Sequence, residues 1–299
     1  MSPSLNHTWL AGMIADLPTP FDDADNIDAA AFATLCERQI AAGASALLVG
    51  ETTGEAATLS ADEHDDLVRI AVQTSRGRAK VIAGAGANAT RQAIALTQRA
   101  AAAGADAVLS VVPYYNKPTQ AGIEAHFHAV ADATDLPIIL HDIPSRCVRG
   151  LADDTLLRLA EQPGFIGLRD GSGDITRPLR LRALLPPGFR LLAGDDATPM
   201  AFLLHGGHGF ISAIANIAPE VCREMYGATR DGETLYAATI ADRLAPLCTA
   251  LSSDATPASV KYALSLRALC SPRVRLPMVA LPAHEKIAIA EAIAIALGP

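Results

Sequence analysis

The sequence predicts an α/β protein, a (β/α)8 TIM barrel with a C-terminal helical extension. Short apolar runs alternate with helical patterns eight times before Gly232, and this alternation is typical of such a barrel. The apolar runs are partly β-branched, as expected of parallel strands that are buried on both faces. After Gly232 the strand patterns end and three Ala/Leu-rich helical patterns follow.

The first half of the chain supplies four strand–helix units. Pro18 and Pro20 close the first strand, and Asp28 is placed to cap the helix that follows. Ser60 opens the second helix, because Ser-Ala-Asp-Glu ending at Glu63 is a capping-box pattern. The predicted strands cover residues 12–17, 46–49, 81–84 and 107–112, and the helices residues 28–42, 60 onward, 90–103 and 120–133.

The second half repeats the unit four times. The sixth strand runs into the Asp/Gly/Ser turn of residues 170–174. Residues 1–230 are expected to form the barrel, and residues 231–299 to form helices packed on it, because no flexible linker separates the two parts. The predicted strands cover residues 137–140, 165–168, 190–193 and 209–212, and the helices residues 153–161, 175 onward, 198–204, a segment after strand eight, 233–250, 256–270 and 283–297.

A doubly wound open sheet is the structural alternative, since it also alternates strands and helices. No Gly-rich dinucleotide fingerprint follows the first strand, and the GAGAN sequence of residues 84–88 lacks the GxGxxG spacing. The sequence therefore favours the barrel.

Composition and charge argue against several classes of partner. The chain has 299 residues and a formal net charge of −8 with scattered basic residues, which argues against nucleic acid. No apolar run reaches the roughly 18 residues that span a bilayer, and the N-terminal MSPSLNHTW shows no leader pattern, so a cytoplasmic protein without membrane contact is expected. The five cysteines include no CxxC pair, so they predict buried thiols rather than a metal site or disulfides.

Polar residues stand where the predicted strands end, and barrel enzymes carry their working groups there. Thr52 and Thr53, with nearby backbone N–H groups, can hold a carboxylate, and Arg146 can pair with a second one. Tyr115 can pass protons, and His141 can transfer a proton near neutral pH. Together these groups predict recognition of a small α-keto acid.

Taken singly, the same residues also have purely structural interpretations. Adjacent threonines often cap turns, and a tyrosine in a loop often packs at an interface. Arg146 alone suggests a surface ion pair, and His141 alone suggests a hydrogen-bonded core residue. Their joint placement at strand ends favours a functional site.

Seven segments carry a resemblance to a known family. Over nearly its whole length the chain resembles the dihydrodipicolinate synthase / N-acetylneuraminate lyase family, and it is most similar to the synthase branch. The segments are TTGEAATLSADEH (52–64), VIAGAGANAT (81–90), PYYNKPTQAGIEAHF (113–127), IPSR (143–146), LLAGDDA (191–197), GGHGFISAIAN (206–216) and RLPMVAL (275–281).

This resemblance implies a lyase of lysine biosynthesis that needs no cofactor and assembles as a homotetramer, a pair of tight dimers. In the synthase, pyruvate forms an imine with a lysine at the end of strand six, and the enamine condenses with aspartate semialdehyde. Thr52 and Tyr115 match members of the proton relay, with Tyr115 reaching the neighbouring subunit's site across the tight dimer interface. Thr53 matches the contact to the pyruvate carboxylate and Arg146 the contact to the semialdehyde carboxylate. Two further matches line the site: Gly194 and Ile211.

Two positions depart from the family pattern. The resemblance implies a relay tyrosine at His141 and the imine-forming lysine at Arg169. Imine formation needs an uncharged amine, which lysine supplies when an apolar pocket lowers its pKa. Arginine, with a pKa above about 12, cannot supply one at physiological pH. The covalent mechanism of the family is therefore not expected here.

Two hypotheses follow. The chain is an enzyme that acts on a keto or hydroxy acid without an imine, with Arg169 polarising a carbonyl or binding a carboxylate and His141 as general base. Alternatively it is a catalytically silent barrel that binds a keto acid or assembles with an active relative. Thr52, Thr53, Tyr115 and Arg146 fit both hypotheses.

Overall fold

The computed structural model describes residues 7–252 and 256–298, and within them eight parallel strands close into a barrel in sequence order. The eighth strand pairs with the first, from Gly12 opposite Gly209 to Ala15 opposite Ser212. The (β/α)8 prediction is therefore confirmed, and the open-sheet alternative is wrong. The first six residues of the N-terminal stretch that we inspected for a leader pattern lie outside the described residues.

The strands and helices alternate as the sequence pattern predicts. The strands are β1 (Gly12–Asp16), β2 (Ala46–Val49), β3 (Lys80–Gly84), β4 (Ala107–Val111), β5 (Ile138–Asp142), β6 (Phe165–Asp170), β7 (Arg190–Ala193) and β8 (Gly209–Ser212). The helices are α1 (Ala29–Ala41), α2 (Ala61–Ser75), α3 (Thr90–Ala103), α4 (Gln120–Ala131), α5 (Pro144–Cys147), α6 (Asp153–Ala160), α7 (Arg177–Leu181), α8 (Pro199–Leu204), α9 (Pro219–Arg230), α10 (Thr234–Leu251), α11 (Thr256–Ser265) and α12 (Ala283–Leu297).

Side-chain caps fix the starts of the first two helices. Asp28 accepts a hydrogen bond from the Ala31 N–H at 2.9 Å and so caps α1. Ser60 and Glu63 form the predicted capping box, in which each side chain accepts from the other residue's backbone N–H. Both caps satisfy N–H groups that the first turn of a helix leaves without a partner.

Two strands extend two residues further than we predicted. β5 includes His141 and Asp142, and β6 includes Arg169 and Asp170, with His141 directly opposite Arg169 in the register. Our prediction ended both strands at their last apolar residue. The backbone hydrogen bonds between the two strands continue into the barrel mouth, although the residues there are polar.

Two helices differ from their predicted bounds. α7 begins at Arg177, two residues later than we predicted, and spans only five residues before Pro186. α11 ends at Ser265 rather than at residue 270. A 3-10 helix, Ile214–Asn216, precedes α9, which is the helix that we predicted after the eighth strand.

The core has two layers. One fills the space between the barrel and its helices, and the other fills the barrel interior. The interior layer occupies the middle and lower barrel and leaves the mouth to polar groups. It comprises Leu10, Ile14, Ala46, Leu48, Ile82, Ala107, Leu109, Ile139, Ile166, Leu192 and Ile211.

A buried ion pair connects the C-terminal helices to the barrel. Lys261 on α11 is fully buried, and its Nζ lies 2.7 Å from Oε1 of Glu55 in the loop after β2. The same ammonium lies 4.0 Å from the ring centroid of Phe21. The other Glu55 oxygen accepts from the Arg275 backbone N–H at 2.9 Å. Among the described helices, none is both long and apolar enough to cross a membrane.

Candidate active site

Arg169 lies at the centre of the barrel mouth. Its side chain is 8% exposed, and Nη2 donates a hydrogen bond to Oδ2 of Asp16, at the end of β1, at 3.0 Å. On its other side, Nη1 lies 3.6 Å from Oε2 of Glu51, which follows β2. The first, second and sixth strands thus bring one cation between two carboxylates.

The charges in this cluster stabilise one another. Burial acts to lower the pKa of Arg169, but Asp16 and Glu51 raise it overall, so the guanidinium stays charged. Burial, opposed by Arg169, raises the pKa of Asp16 to about 6. Burial also acts to raise the pKa of Glu51, but the charge of Arg169 and the backbone N–H of Thr52 hold it below its usual value, so Glu51 is ionised.

His141 stands beside this cluster on β5. Its Nδ1 lies 3.2 Å from Oε1 of Glu51. Burial, together with the charge of Arg169, lowers the pKa of His141, so the ring is neutral at neutral pH. A neutral imidazole keeps one nitrogen free to accept a proton.

Several buried polar atoms of this cluster have no hydrogen-bond partner within the described part of the chain. They are Nε and Nη1 of Arg169, both ring nitrogens of His141, and Oδ1 of Asp16. Buried polar groups are usually paired, because leaving one unpaired costs about 1–3 kcal/mol. Such a concentration of free donors and acceptors is typical of a binding site.

A cavity of about 610 Å³ opens above the cluster. Glu51, Thr52 and Arg146 contribute to its wall. Arg146 lies on α5 with its side chain exposed, and we find no side-chain hydrogen bond or ion pair to it from the described residues. Thr53 is buried, and it does not contribute to the wall of this cavity.

Gly194, which follows β7, leaves room for Arg169. A Cβ at this position would lie 2.9 Å from Cγ of Arg169 and 3.0 Å from the backbone carbonyl of Asp170. Ile211, by contrast, belongs to the apolar interior layer below the cluster.

We expect Gly194→Ala to destabilise the protein by roughly 1–3 kcal/mol, because the added methyl group overpacks the mouth. Urea unfolding measures this loss. Gly227→Ala is the matched control, since a Cβ there meets no described atom within 4 Å beyond its chain neighbours and the adjacent backbone of α9. An equal effect of the two substitutions would contradict the steric argument.

Tyr115 is not brought to this site by its own chain. The residue is 87% exposed, and its backbone adopts a left-handed conformation with φ of 69°. Tyr114 beside it reaches the cavity wall. The proton-relay role that the resemblance implies for Tyr115 therefore depends on a neighbouring subunit.

Sequence reasoning assigned no role to Asp16, Glu51 or Asp196. Asp196 accepts backbone N–H bonds from Ala213 and Ile214 at 3.0 and 3.1 Å, and burial raises its pKa. All three carboxylates stand at or just after strand ends, and this position in the sequence could have identified them as candidate site residues. We predicted Asp16 to lie within the first strand and read Glu51 and Asp196 only as members of polar loops.

A second buried arginine, which we also missed, holds the ends of β5 and β6 together. Nη1 of Arg177 lies 2.7 Å from Oδ2 of Asp142 and 3.5 Å from Oδ2 of Asp170. Its Nε lies 3.0 Å from Oδ1 of Asp153. These bonds fix the two strand ends that carry His141 and Arg169.

Comparison with known proteins gives one consistent result. The model of the dihydrodipicolinate synthetase family matches residues 9–296. A 4-hydroxy-tetrahydrodipicolinate synthase of Rhodospirillum centenum is 47% identical over 268 residues, which cover 90% of this chain and 92% of that protein. The dihydrodipicolinate synthase of Acinetobacter baumannii, solved in complex with pyruvate, is 36% identical with a TM-score of 0.93, and the match covers 96% of this chain and 99% of that one.

Proposed function

We propose that this chain, which belongs to the dihydrodipicolinate synthetase family, binds a small α-keto acid of the pyruvate class at its barrel mouth and acts on it without forming an imine. One observation carries the proposal. Arg169, at the position where the resemblance implies the imine-forming lysine, is a charged guanidinium held between Asp16 and Glu51. A guanidinium in this state has no lone pair with which to attack a carbonyl carbon.

Three features support keto-acid binding. Arg146 offers a guanidinium at the cavity rim without a partner from the described chain, and it suits a carboxylate. The unpaired donors of Arg169 and His141 suit a carbonyl oxygen or a second carboxylate. The pyruvate complex of the Acinetobacter relative supports the same ligand class. Thr52, Thr53, Gly194 and Ile211 complete the proposed binding residues.

The chemistry that fits these groups is proton transfer next to a carbonyl. Neutral His141 takes a proton from the carbon beside the carbonyl, and the electron pair moves to the carbonyl oxygen. The enolate that forms is stabilised by the fixed charge of Arg169. Without a covalent electron sink this reaction is slow, so weak turnover is expected.

The relay and the assembly follow the family pattern in this proposal. Tyr115, exposed in the single chain, reaches Thr52 of a neighbouring subunit across a tight dimer interface in a cytoplasmic homotetramer. The exposure of Tyr115 leaves its side chain available to a second subunit and supports this placement.

A catalytically silent keto-acid-binding protein is the second candidate. It is favoured by the two carboxylates beside Arg169, because they offset the positive charge that an enolate would need. Both candidates bind the ligand, and they differ in whether solvent deuterium enters it during incubation with the protein.

The test is to incubate the protein with pyruvate and borohydride, which fixes any imine, and to measure the mass of the intact chain. No adduct is expected on Lys80, Lys117 or Lys286. None is expected on Lys261 either, because Glu55 and full burial hold that ammonium. Calorimetry with pyruvate should still give saturable binding. A lysine adduct would overturn the imine-free mechanism, and absence of binding would overturn the proposal itself.

A further inference from the structure

We propose that Glu51 sets the ligand specificity of this site, because its own carboxylate occupies the subsite that an incoming carboxylate would take. The inference rests on the proposed keto-acid binding and deepens it. An external carboxylate must first displace an internal one, so the wild-type chain binds keto acids weakly.

Donors from three segments of the barrel converge on the Glu51 carboxylate. The backbone N–H of Thr52 donates to Oε2, and Nη1 of Arg169 lies 3.6 Å from the same oxygen. Nδ1 of His141 lies 3.2 Å from Oε1. A backbone amide, a guanidinium and an imidazole around one carboxylate are the components of an anion-binding site.

These donors have few other partners. Of the Arg169 nitrogens, only Nη2 donates a hydrogen bond to Asp16. Within the described residues, no hydrogen bond is made by Nη1 or Nε of Arg169 or by either ring nitrogen of His141. Their geometry toward Glu51 is loose, so an external carboxylate could satisfy them better.

Glu51 also stands between the cavity and the cluster. Glu51 and Thr52 contribute to the cavity wall, whereas of the described residues His141 and Arg169 do not. The carboxylate therefore separates the entering ligand from the groups proposed to act on it. A second carboxylate placed beside ionised Glu51 and Asp16 would also meet like-charge repulsion.

The experiment compares pyruvate binding by calorimetry in wild type, Glu51→Ala and Glu51→Gln. We expect the Kd of Glu51→Ala to fall at least tenfold, and that of Glu51→Gln to fall less, because the amide keeps the volume but loses the charge. Asp16 stays beside Arg169 in both variants, which keeps that cation paired. The matched control is Glu37→Ala, which removes a carboxylate from an exposed ion pair with Arg78 and should leave the Kd within twofold of wild type.

Competition between acetate and pyruvate provides a second measurement, and a general structural effect of the substitution would not change its result. In Glu51→Ala, acetate should replace the missing carboxylate and raise the apparent Kd for pyruvate severalfold at millimolar concentration. In wild type it should change little, since the subsite is filled.

The outcomes separate the two proposals. If wild type binds pyruvate and Glu51→Ala binds it equally or more weakly, the role of Glu51 is overturned and keto-acid binding stands. If neither chain binds pyruvate while both keep wild-type melting behaviour, keto-acid binding fails, and the inference fails with it. Tighter binding by Glu51→Ala that acetate weakens supports both.

Discussion

Lys261→Met is expected to destabilise the protein by roughly 3–5 kcal/mol, because it leaves the Glu55 carboxylate buried without its cation. The lysine side chain is 0% exposed, and methionine matches the volume of its aliphatic part. Burial acts to lower the pKa of Lys261, and Glu55 opposes that effect. The melting temperature should fall by on the order of 10 °C, which differential scanning calorimetry measures.

The matched control is the double variant Lys261→Met with Glu55→Gln. A neutral amide oxygen can still accept the Arg275 N–H that now donates to Glu55, and no charge is left unpaired. The double variant should therefore recover at least half of the lost stability. If Lys261→Met costs less than about 1 kcal/mol, the buried pair does not anchor the C-terminal helices to the loop after β2.

Much of the barrel was predictable because its signals are local. Strands β2, β7 and β8 were predicted with their observed bounds, since each is a short apolar run between polar or turn-forming residues. The start of α2 was predicted from Ser60 and Glu63 alone, because a capping box involves residues only three positions apart. Such patterns need no knowledge of tertiary contacts.

The site cluster was not predictable in the same way. Asp16 and Arg169 are 153 positions apart, and their hydrogen bond exists only because β1 and β6 reach the same end of a closed barrel. Sequence position indicated that Arg169 and His141 stand at the mouth. It did not indicate that Asp16 and Glu51 would offset the charge of Arg169. That compensation changes the expected role of Arg169 from a free anion-binding group to a partner of two internal carboxylates.

The two carboxylates that offset the charge of Arg169 also determine the second large prediction. Arg169→Lys is expected to create an imine with pyruvate, which borohydride should fix as a single added group on residue 169. Wild type should show none under the same conditions. The new amine would stand at the end of β6, beside Glu51, which lines the cavity proposed to bind the ligand. Intact mass and peptide mapping measure the adduct and its position.

Asp16 and Glu51 limit the rate at which Arg169→Lys can form the imine. Two nearby carboxylates stabilise the ammonium form of lysine, whereas the attacking species is the neutral amine. Adduct formation by Arg169→Lys should therefore be slow at neutral pH and should accelerate as the pH rises. In Arg169→Lys with Glu51→Ala one carboxylate is gone, so the same rate should be reached at lower pH.

Arg146→Lys is the matched control, because it introduces a lysine at the exposed rim of the same cavity. A solvated amine there keeps an ordinary pKa and stays protonated, so no comparable adduct is expected. Equal labelling of the two variants would mean that the barrel interior confers no special reactivity on residue 169. Labelling at residue 169 alone would mean that the barrel still presents pyruvate to the end of β6. In that case the guanidinium of Arg169, rather than a lost binding site, is what prevents the covalent reaction in this chain.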